Sequence, residues 1–128
     1  MQLLDHVSIG VPDLDIARRF YDAIMSTLGA MKVYDVPNAL GYGERCRSQD
    51  TASTCLAVYL DQGAIGENKR HWCFKAASRA QVDAFYAAGL AAGLVLPGLA
   101  YADAATDAPM ATFSLADGAL TQLTHRFG

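Results

Sequence analysis

The chain has 128 residues, 52% of them hydrophobic and 18% charged, a make-up that excludes disorder, which needs low hydrophobicity with high charge. At this length folding removes roughly two thirds of the unfolded surface from water, enough for a core without disulfide or metal staples. Ten basic against thirteen acidic residues, a net charge of −3, with no run of like charge, exclude the clustered cations that phosphate backbones require, so no nucleic-acid partner is expected.

The first strand is read at Leu4–Val11, where Val7, Ile9 and Val11 alternate with His6, Ser8 and Gly10. Pro12-Asp13 starts a helix in which Leu14, Ala17, Tyr21, Ile24 and Leu28 recur at steps of three and four, and Gly29 ends it. Three extended runs follow, over 30–36, 39–45 and 54–60, separated by Pro37-Asn38 and by a polar loop through Arg47 to Ser53. A linker, Asp61 to Lys69, leads to a strand at Arg70–Ala76 with Trp72, Phe74 and Ala76 on one face and His71, Cys73 and Lys75 on the other. Ser78-Arg79-Ala80-Gln81 is a capping-box pattern, and Val82, Phe85, Tyr86 and Leu90 form the apolar side of the helix it opens. Leu94–Tyr101 and Met110–Leu115 read as strands, and Asp117-Gly118 as a hairpin turn into Ala119–Arg126.

The uncharged stretch from Ala84 to Ala102 is long enough to span a bilayer, but Gly89, Gly93, Pro97 and Gly98 interrupt it, so no membrane partner is expected. The N-terminus shows no basic stretch ahead of an apolar one. Cys46, Cys55 and Cys73 are an odd count without C-x-x-C spacing, which suits reduced thiols in a cytoplasmic protein.

A shift of 65 residues carries His6 onto His71, Asp13 onto Ser78, and Phe20-Tyr21 onto Phe85-Tyr86 in one register without a gap. Self-similarity of this kind marks repeated supersecondary units. Residues 1–128 therefore read as a single α+β domain of two tandem βαβββ modules, 1–63 and 68–128, each with its helix covering one face of its strands. The other face is either ordinary solvated surface or, where the modules join into one curved mixed sheet with the helices outside, the lining of its hollow.

Asp5-His6-Val7-Ser8-Ile9-Gly10-Val11 with Asp13-Leu14 and Arg19-Phe20-Tyr21 resembles the opening of the vicinal oxygen chelate superfamily, which includes glyoxalase I, extradiol dioxygenases, fosfomycin-resistance proteins, methylmalonyl-CoA epimerase and bleomycin-resistance proteins. Arg70-His71-Trp72-Cys73-Phe74 resembles the strand that opens the second module, and Asp117-Gly118 the turn before its last strand, so the likeness runs over essentially the whole chain. It implies a cup whose floor holds a divalent metal, with ligands from the first and last strands of each module. Those positions are His6 and Ala57 in the first module and His71 and Gln122 in the second.

Two departures shape the chemistry. Ala57 offers no donor, and Gln122 stands where most metal-dependent members carry Glu. The implied ligand set is His6, His71 and Gln122, holding Fe, Mn, Zn or Ni weakly, because a neutral amide replaces the carboxylate that offsets the ion's charge in the two-His-one-carboxylate triad. An amide takes no proton at neutral pH, which counts against the base-dependent chemistry of glyoxalase I and the epimerase. No catalytic residue is assigned.

Ser8, Tyr42, Tyr59, Cys73 and Thr124 are read as substrate-binding residues of the cup, with Tyr101 at its rim. For the tyrosines the alternative is partial core packing, for Cys73 an unreactive wall thiol, and for Gln122 a hydrogen-bonding wall residue. His125 has the wrong parity for the cup, and Arg45 and Arg47 stand between holding an anionic substrate group and ordinary solvated charge. Two functions remain. The paired histidines favour a metal-assisted lyase, isomerase or dioxygenase-type enzyme acting on a small molecule in the cup, which is the preferred reading. Ala57 and Gln122 favour a metal-free small-ligand-binding protein of bleomycin-resistance type. For a chain this short the resemblance also implies a homodimer, with the cup closed within one chain or between two.

Overall fold

The structure, a computed structural model, describes residues 3–44, 53–62, 71–92, 95–96, 100–103, 108–115 and 120–124, with side chains at 3–44, 53–62 and 73–92. The chain is α+β and divides into two compact units, Met1–Ile65 and Gly66–Gly128. The Asp117-Gly118 turn, Arg45, Arg47, His125 and most of the 61–69 linker lie outside the described residues.

The first unit runs β1 (His6–Val11), α1 (Leu14–Thr27), β2 (Lys32–Val36), β3 (Ala39–Gly43) and β4 (Cys55–Leu60). Its sheet has the order β1-β4-β3-β2. β1 pairs with β4 in parallel, while β3 is antiparallel to both β4 and β2. The parallel pair requires a long crossover, and α1 belongs to it. Asp13 caps α1 by accepting the amide of Ile16 at 3.0 Å. At the other end Gly29 takes φ 69°, its amide bonds Ser26 O at 3.2 Å and the amide of Ala30 bonds Met25 O at 3.0 Å. That paired closure is a Schellman motif, and it explains why the helix stops where a residue without Cβ becomes available.

The apolar stripe of α1, Leu14, Ala17, Phe20, Tyr21, Ile24 and Met25, is buried with Ile9, Val11, Leu40, Tyr42, Leu56 and Val58 of the sheet. Each large apolar side chain so removed from water contributes about 1.5–3 kcal/mol. A charged lattice ties the same helix to the sheet edge. The Arg18 guanidinium donates to both Asp35 oxygens at 3.0–3.3 Å and to Asp15, and Lys32 Nζ reaches Asp22 and Asp35 at 2.9 Å. The bonds from Arg18 first, and from Lys32 second, hold the Asp35 carboxyl below the usual carboxylate range. Burial pulls the Lys32 ammonium down, but its bonds to Asp22 and Asp35 outweigh that and leave it raised.

The second unit runs β5 (His71–Lys75), α2 (Arg79–Ala91), β6 (Val95–Leu96), β7 (Ala100–Asp103), β8 (Ala108–Leu115) and β9 (Leu120–Thr124). Again the first strand pairs in parallel with the last, and β8 lies antiparallel to β9, β6 and β7. The strand expected over 94–101 is two strands. Three residues lie between Leu96 and Ala100, where two lie between their partners Ser114 and Ala111. Pro97-Gly98 falls at this break, and a proline has no N–H to give a ladder.

Ser78 Oγ accepts the amide of Gln81 at 3.1 Å, and Gln81 Oε1 accepts the amide of Ala77 at 2.6 Å, one residue before the expected partner. Val82, Phe85 and Gly89 form the buried side of α2, with the Phe85 ring 6.4 Å from that of Phe74. Leu90, expected on that side, is 40% exposed, because Gly89 takes the close-packed position next to it. Among the described residues no helix is long and apolar enough to cross a membrane.

The 65-residue shift holds at the level of hydrogen-bonded pairs. His6↔Cys55, Ser8↔Ala57 and Gly10↔Tyr59 in the first unit correspond to His71↔Leu120, Cys73↔Gln122 and Lys75↔Thr124 in the second. Helix caps Asp13 and Ser78 obey the same shift.

Candidate functional site

Each unit has a sheet face that its own helix does not cover. In the first, the register assigns it to His6, Ser8 and Gly10 of β1, Cys55, Ala57 and Tyr59 of β4, and Ala39, Gly41 and Gly43 of β3, because directly paired residues share a face. Small residues dominate, so the backbone itself forms much of this surface. His6 lies at one end with its side chain 61% exposed, and its Nδ1 sits 2.8 Å from Asp5 Oδ2. A carboxylate on one ring nitrogen fixes the tautomer and leaves the other nitrogen for a ligand, the arrangement found behind metal-binding histidines. Ser8 is exposed on the same strand.

The middle of the face carries an aromatic pair. The Tyr34 ring lies flat over Gly41, so close that a Cβ there would come within 2.6 Å of its Cδ1 and Cζ. Burial, then the hydrogen bond to Tyr59, pushes the Tyr34 phenol above its ordinary value and keeps it protonated. Tyr59 is 46% exposed and so presents ring surface to solvent. Ala57 lies beside it, buried, with no donor atom.

Tyr42 does not belong to this face. It pairs with Leu56, one position out of phase with Ala57, and its side chain turns beneath α1, where it is 2% exposed. Its hydroxyl donates to Asp22 Oδ1 at 2.7 Å, and its ring lies 6.2 Å from that of Tyr21. Burial, with Asp22 second, raises its pKa far above the usual tyrosine value. Tyr42 is a core residue. Its face depends on the register between β3 and β4, which no sequence feature across the loop between them supplies. Tyr34 and Gly41 were missed. An isolated glycine inside a strand is the available signal, since it marks a close approach by another group.

In the second unit, His71, Cys73 and Lys75 share a face by strand alternation with positions 120, 122 and 124, their register partners. Phe74, on the opposite face, meets α2 through Phe85. Cys73 and Lys75 are exposed, and the Cys73 thiol lies 3.6 Å from its neighbouring carbonyl, Phe74 O. His71 and Gln122 thus occupy diagonal positions of one parallel strand pair, and Thr124 pairs with Lys75. Among the described residues no group of three or more His, Cys, Asp or Glu is placed to hold a metal ion.

No family model and no curated protein matches the chain. Solved structures do. A glyoxalase/bleomycin resistance protein from Albidiferax ferrireducens T118 is 27% identical with a TM-score of 0.76, over 98% of this chain and 100% of that one. A putative glyoxalase from Bacillus halodurans is 21% identical with a TM-score of 0.74, over 96% and 95%. A lactoylglutathione lyase from Agrobacterium tumefaciens is 15% identical with a TM-score of 0.64, over 98% and 94%.

Proposed function

The chain belongs by fold to the vicinal oxygen chelate superfamily, and on that premise we propose that it is an enzyme acting on a small organic molecule with a divalent metal held by His6, His71 and Gln122. The observation that carries the reading is the Asp5–His6 pair, an exposed imidazole whose Nδ1 is already committed to a carboxylate. Two imidazoles and an amide oxygen are donor types that divalent transition ions accept, and His71 and Gln122 stand at diagonal positions of the parallel pair β5 and β9. Such an ion supplies Lewis acidity, polarising a substrate oxygen without any proton bookkeeping.

The chain's own residues supply binding and exclude some reactions. Tyr59 offers ring surface to an apolar part of the substrate, and Ser8 a hydroxyl beside it. The protonated Tyr34 holds Tyr59 in place. Gln122 accepts hydrogen bonds and takes no proton, which sets this chain apart from reactions that remove a proton next to a carbonyl. A lyase, isomerase or dioxygenase step that needs no carboxylate base at position 122 suits it better.

Untagged protein reconstituted with Fe, Mn, Zn or Ni is expected to bind one of these ions, and His71→Ala to lose that binding. Gln122→Glu is expected to tighten that binding about tenfold, ~1.4 kcal/mol. Failure to bind any of these ions on reconstitution overturns the reading. The buried, donor-free Ala57 beside Tyr59 favours the second reading, a metal-free binding protein of bleomycin-resistance type. On that reading ligand affinity is unchanged in His71→Ala and falls in Tyr59→Ala. The homodimer and the cytoplasmic location belong to the same proposal, the former checked by solution mass.

A further inference from the structure

We infer that Tyr34 is a specificity-determining residue of the first unit's open face, forming with Tyr59 a patch that selects a planar aromatic ring without negative charge as the organic part of the ligand. This rests on the reading of that face as the small-molecule site and does not depend on a metal. Tyr34 reaches the face through a break in strand alternation. Lys32 pairs with Tyr42, whose side chain lies beneath α1, whereas Tyr34, two residues on, pairs with Gly41 of the opposite face. In an even strand, residues two apart share a face. The register shift between Lys32 and Tyr34 turns the phenol over, and bulges of this kind re-aim side chains beside functional sites.

Stability within the unit does not account for this placement. Tyr42, on the covered face, is packed under α1 and almost wholly buried. Tyr34 is only half-buried, on the face that α1 leaves uncovered, and seating it requires Gly41, since a Cβ there would come within 2.6 Å of Tyr34 Cδ1 and Cζ. A glycine inside a strand weakens it and offers no side chain to pack. A bulge and a glycine thus both serve a ring that its own helix does not cover. Tyr59 on the same face is 46% exposed, and Ala57 next to it adds only a methyl, so ring surface stays open to a flat ligand.

Charge narrows the class. Burial, then Tyr59, keeps the Tyr34 phenol protonated at neutral pH, so the ring is neutral and presents an electron-rich face. His6 stands at one end of the open face with the Asp5 carboxylate on its Nδ1. At the other end Asp61 leans over Gly10, the direct partner of Tyr59, with its Oδ2 3.1 Å from the place a Gly10 Cβ would take. Among the described residues the register assigns this face no lysine or arginine. Electron-rich rings between carboxylates repel an anionic ring and accept a neutral or cationic one.

The test is isothermal titration of the full chain, in EDTA, with four probes of one skeleton: benzyl alcohol, benzylamine, benzoate and cyclohexylmethanol. Ring-on-ring contacts add about twofold to tenfold in affinity beyond the area they bury. Benzyl alcohol and benzylamine are therefore expected to bind at least about twofold more tightly than the saturated cyclohexylmethanol and than benzoate. The preference for benzyl alcohol over cyclohexylmethanol is expected to vanish in Tyr34→Leu, and in Gly41→Ala, which keeps both tyrosines and displaces the Tyr34 ring. A merely structural role for Tyr34 weakens all four probes alike and leaves that preference intact, an outcome that overturns the assignment. Far-ultraviolet circular dichroism checks that the variants are folded, and the wild-type ranking is decisive even where one is not. Equal binding of the ring and saturated probes to wild type, or tighter binding of benzoate, overturns the ring preference and leaves the open face standing as a small-molecule site. No binding of any probe at millimolar concentration overturns both.

Discussion

Gly41→Ala tests the aromatic arrangement on the open face of the first unit. Gly41 is not among the glycines at positive φ, so its backbone accepts alanine, and the change by itself narrows the unfolded ensemble and stabilises by about 0.4–1 kcal/mol. Against this, the new methyl would sit 2.6 Å from Tyr34 Cδ1 and Cζ, well inside van der Waals contact. The ring must swing away, at an overpacking cost of about 1–3 kcal/mol. It also gives up the hydrogen bond to Tyr59, worth about 1 kcal/mol. The net expectation is a loss of about 1–3 kcal/mol, read by urea unfolding, or a fall in Tm of roughly 3–12 °C for a chain of this size. In a Tyr34→Ala background the obstacle is gone, and the same substitution should be neutral or slightly stabilising. The coupling between the two sites should therefore exceed about 1 kcal/mol, well above the 0.3–0.5 kcal/mol scatter of independent sites. Equal destabilisation in both backgrounds refutes the packing of Tyr34 on Gly41.

Tyr42→Phe removes the hydroxyl bonded to Asp22 and should cost about 1 kcal/mol, discounted because Asp22 is partly solvated and keeps Lys32. It should leave metal and ligand binding unchanged, and a shift in either by isothermal titration would return Tyr42 to the open face. The pH dependence of stability follows from Asp35. A carboxyl whose folded pKa is lowered contributes stability that is complete above its unfolded pKa, about 3.9, and is lost as pH falls through the lower folded value. Asp35→Asn should therefore lose less stability than wild type on acidification through that window, and parallel acid denaturation curves would remove Asp35 from the account. The metal content of His71→Ala and Gln122→Glu addresses the proposed centre itself.

The strands and helices are legible in the sequence because their signals are local. Asp13 and Ser78 carry cap oxygens, Gly29 supplies the left-handed residue, and strand alternation at Val7, Ile9 and Val11 separates the covered face from the open one. What sequence could not supply was register across the loop between β3 and β4. Parity is known within a strand, but a single extra residue in a connecting loop turns a neighbouring strand's faces over. Tyr59, on the same strand as Ala57, was placed on the open face by parity alone. Tyr42, one strand further, was placed on the wrong one. Tyr34, two strands away, reaches the site over a glycine. The Leu90 and Gly89 exchange on α2 has the same character, since periodicity favours the larger apolar residue while close packing selects the smaller.

The repeat separates architecture from chemistry. Backbone bonds of the two parallel pairs match at a shift of 65 residues, so the ladder is indifferent to whether position 57 or 122 carries a methyl or an amide, and position 8 or 73 a hydroxyl or a thiol. Substitution at these open-face positions costs the sheet little, because the covered faces hold the packed apolar side chains. The fold therefore tolerates wide change in its ligands, which is why a lyase and resistance proteins share it and why fold alone does not name a reaction. In this chain the first unit's open face has become small and aromatic, with His6 and Cys55 at directly paired positions near its edge. The second keeps polar and charged residue types at His71, Cys73, Lys75, Gln122 and Thr124.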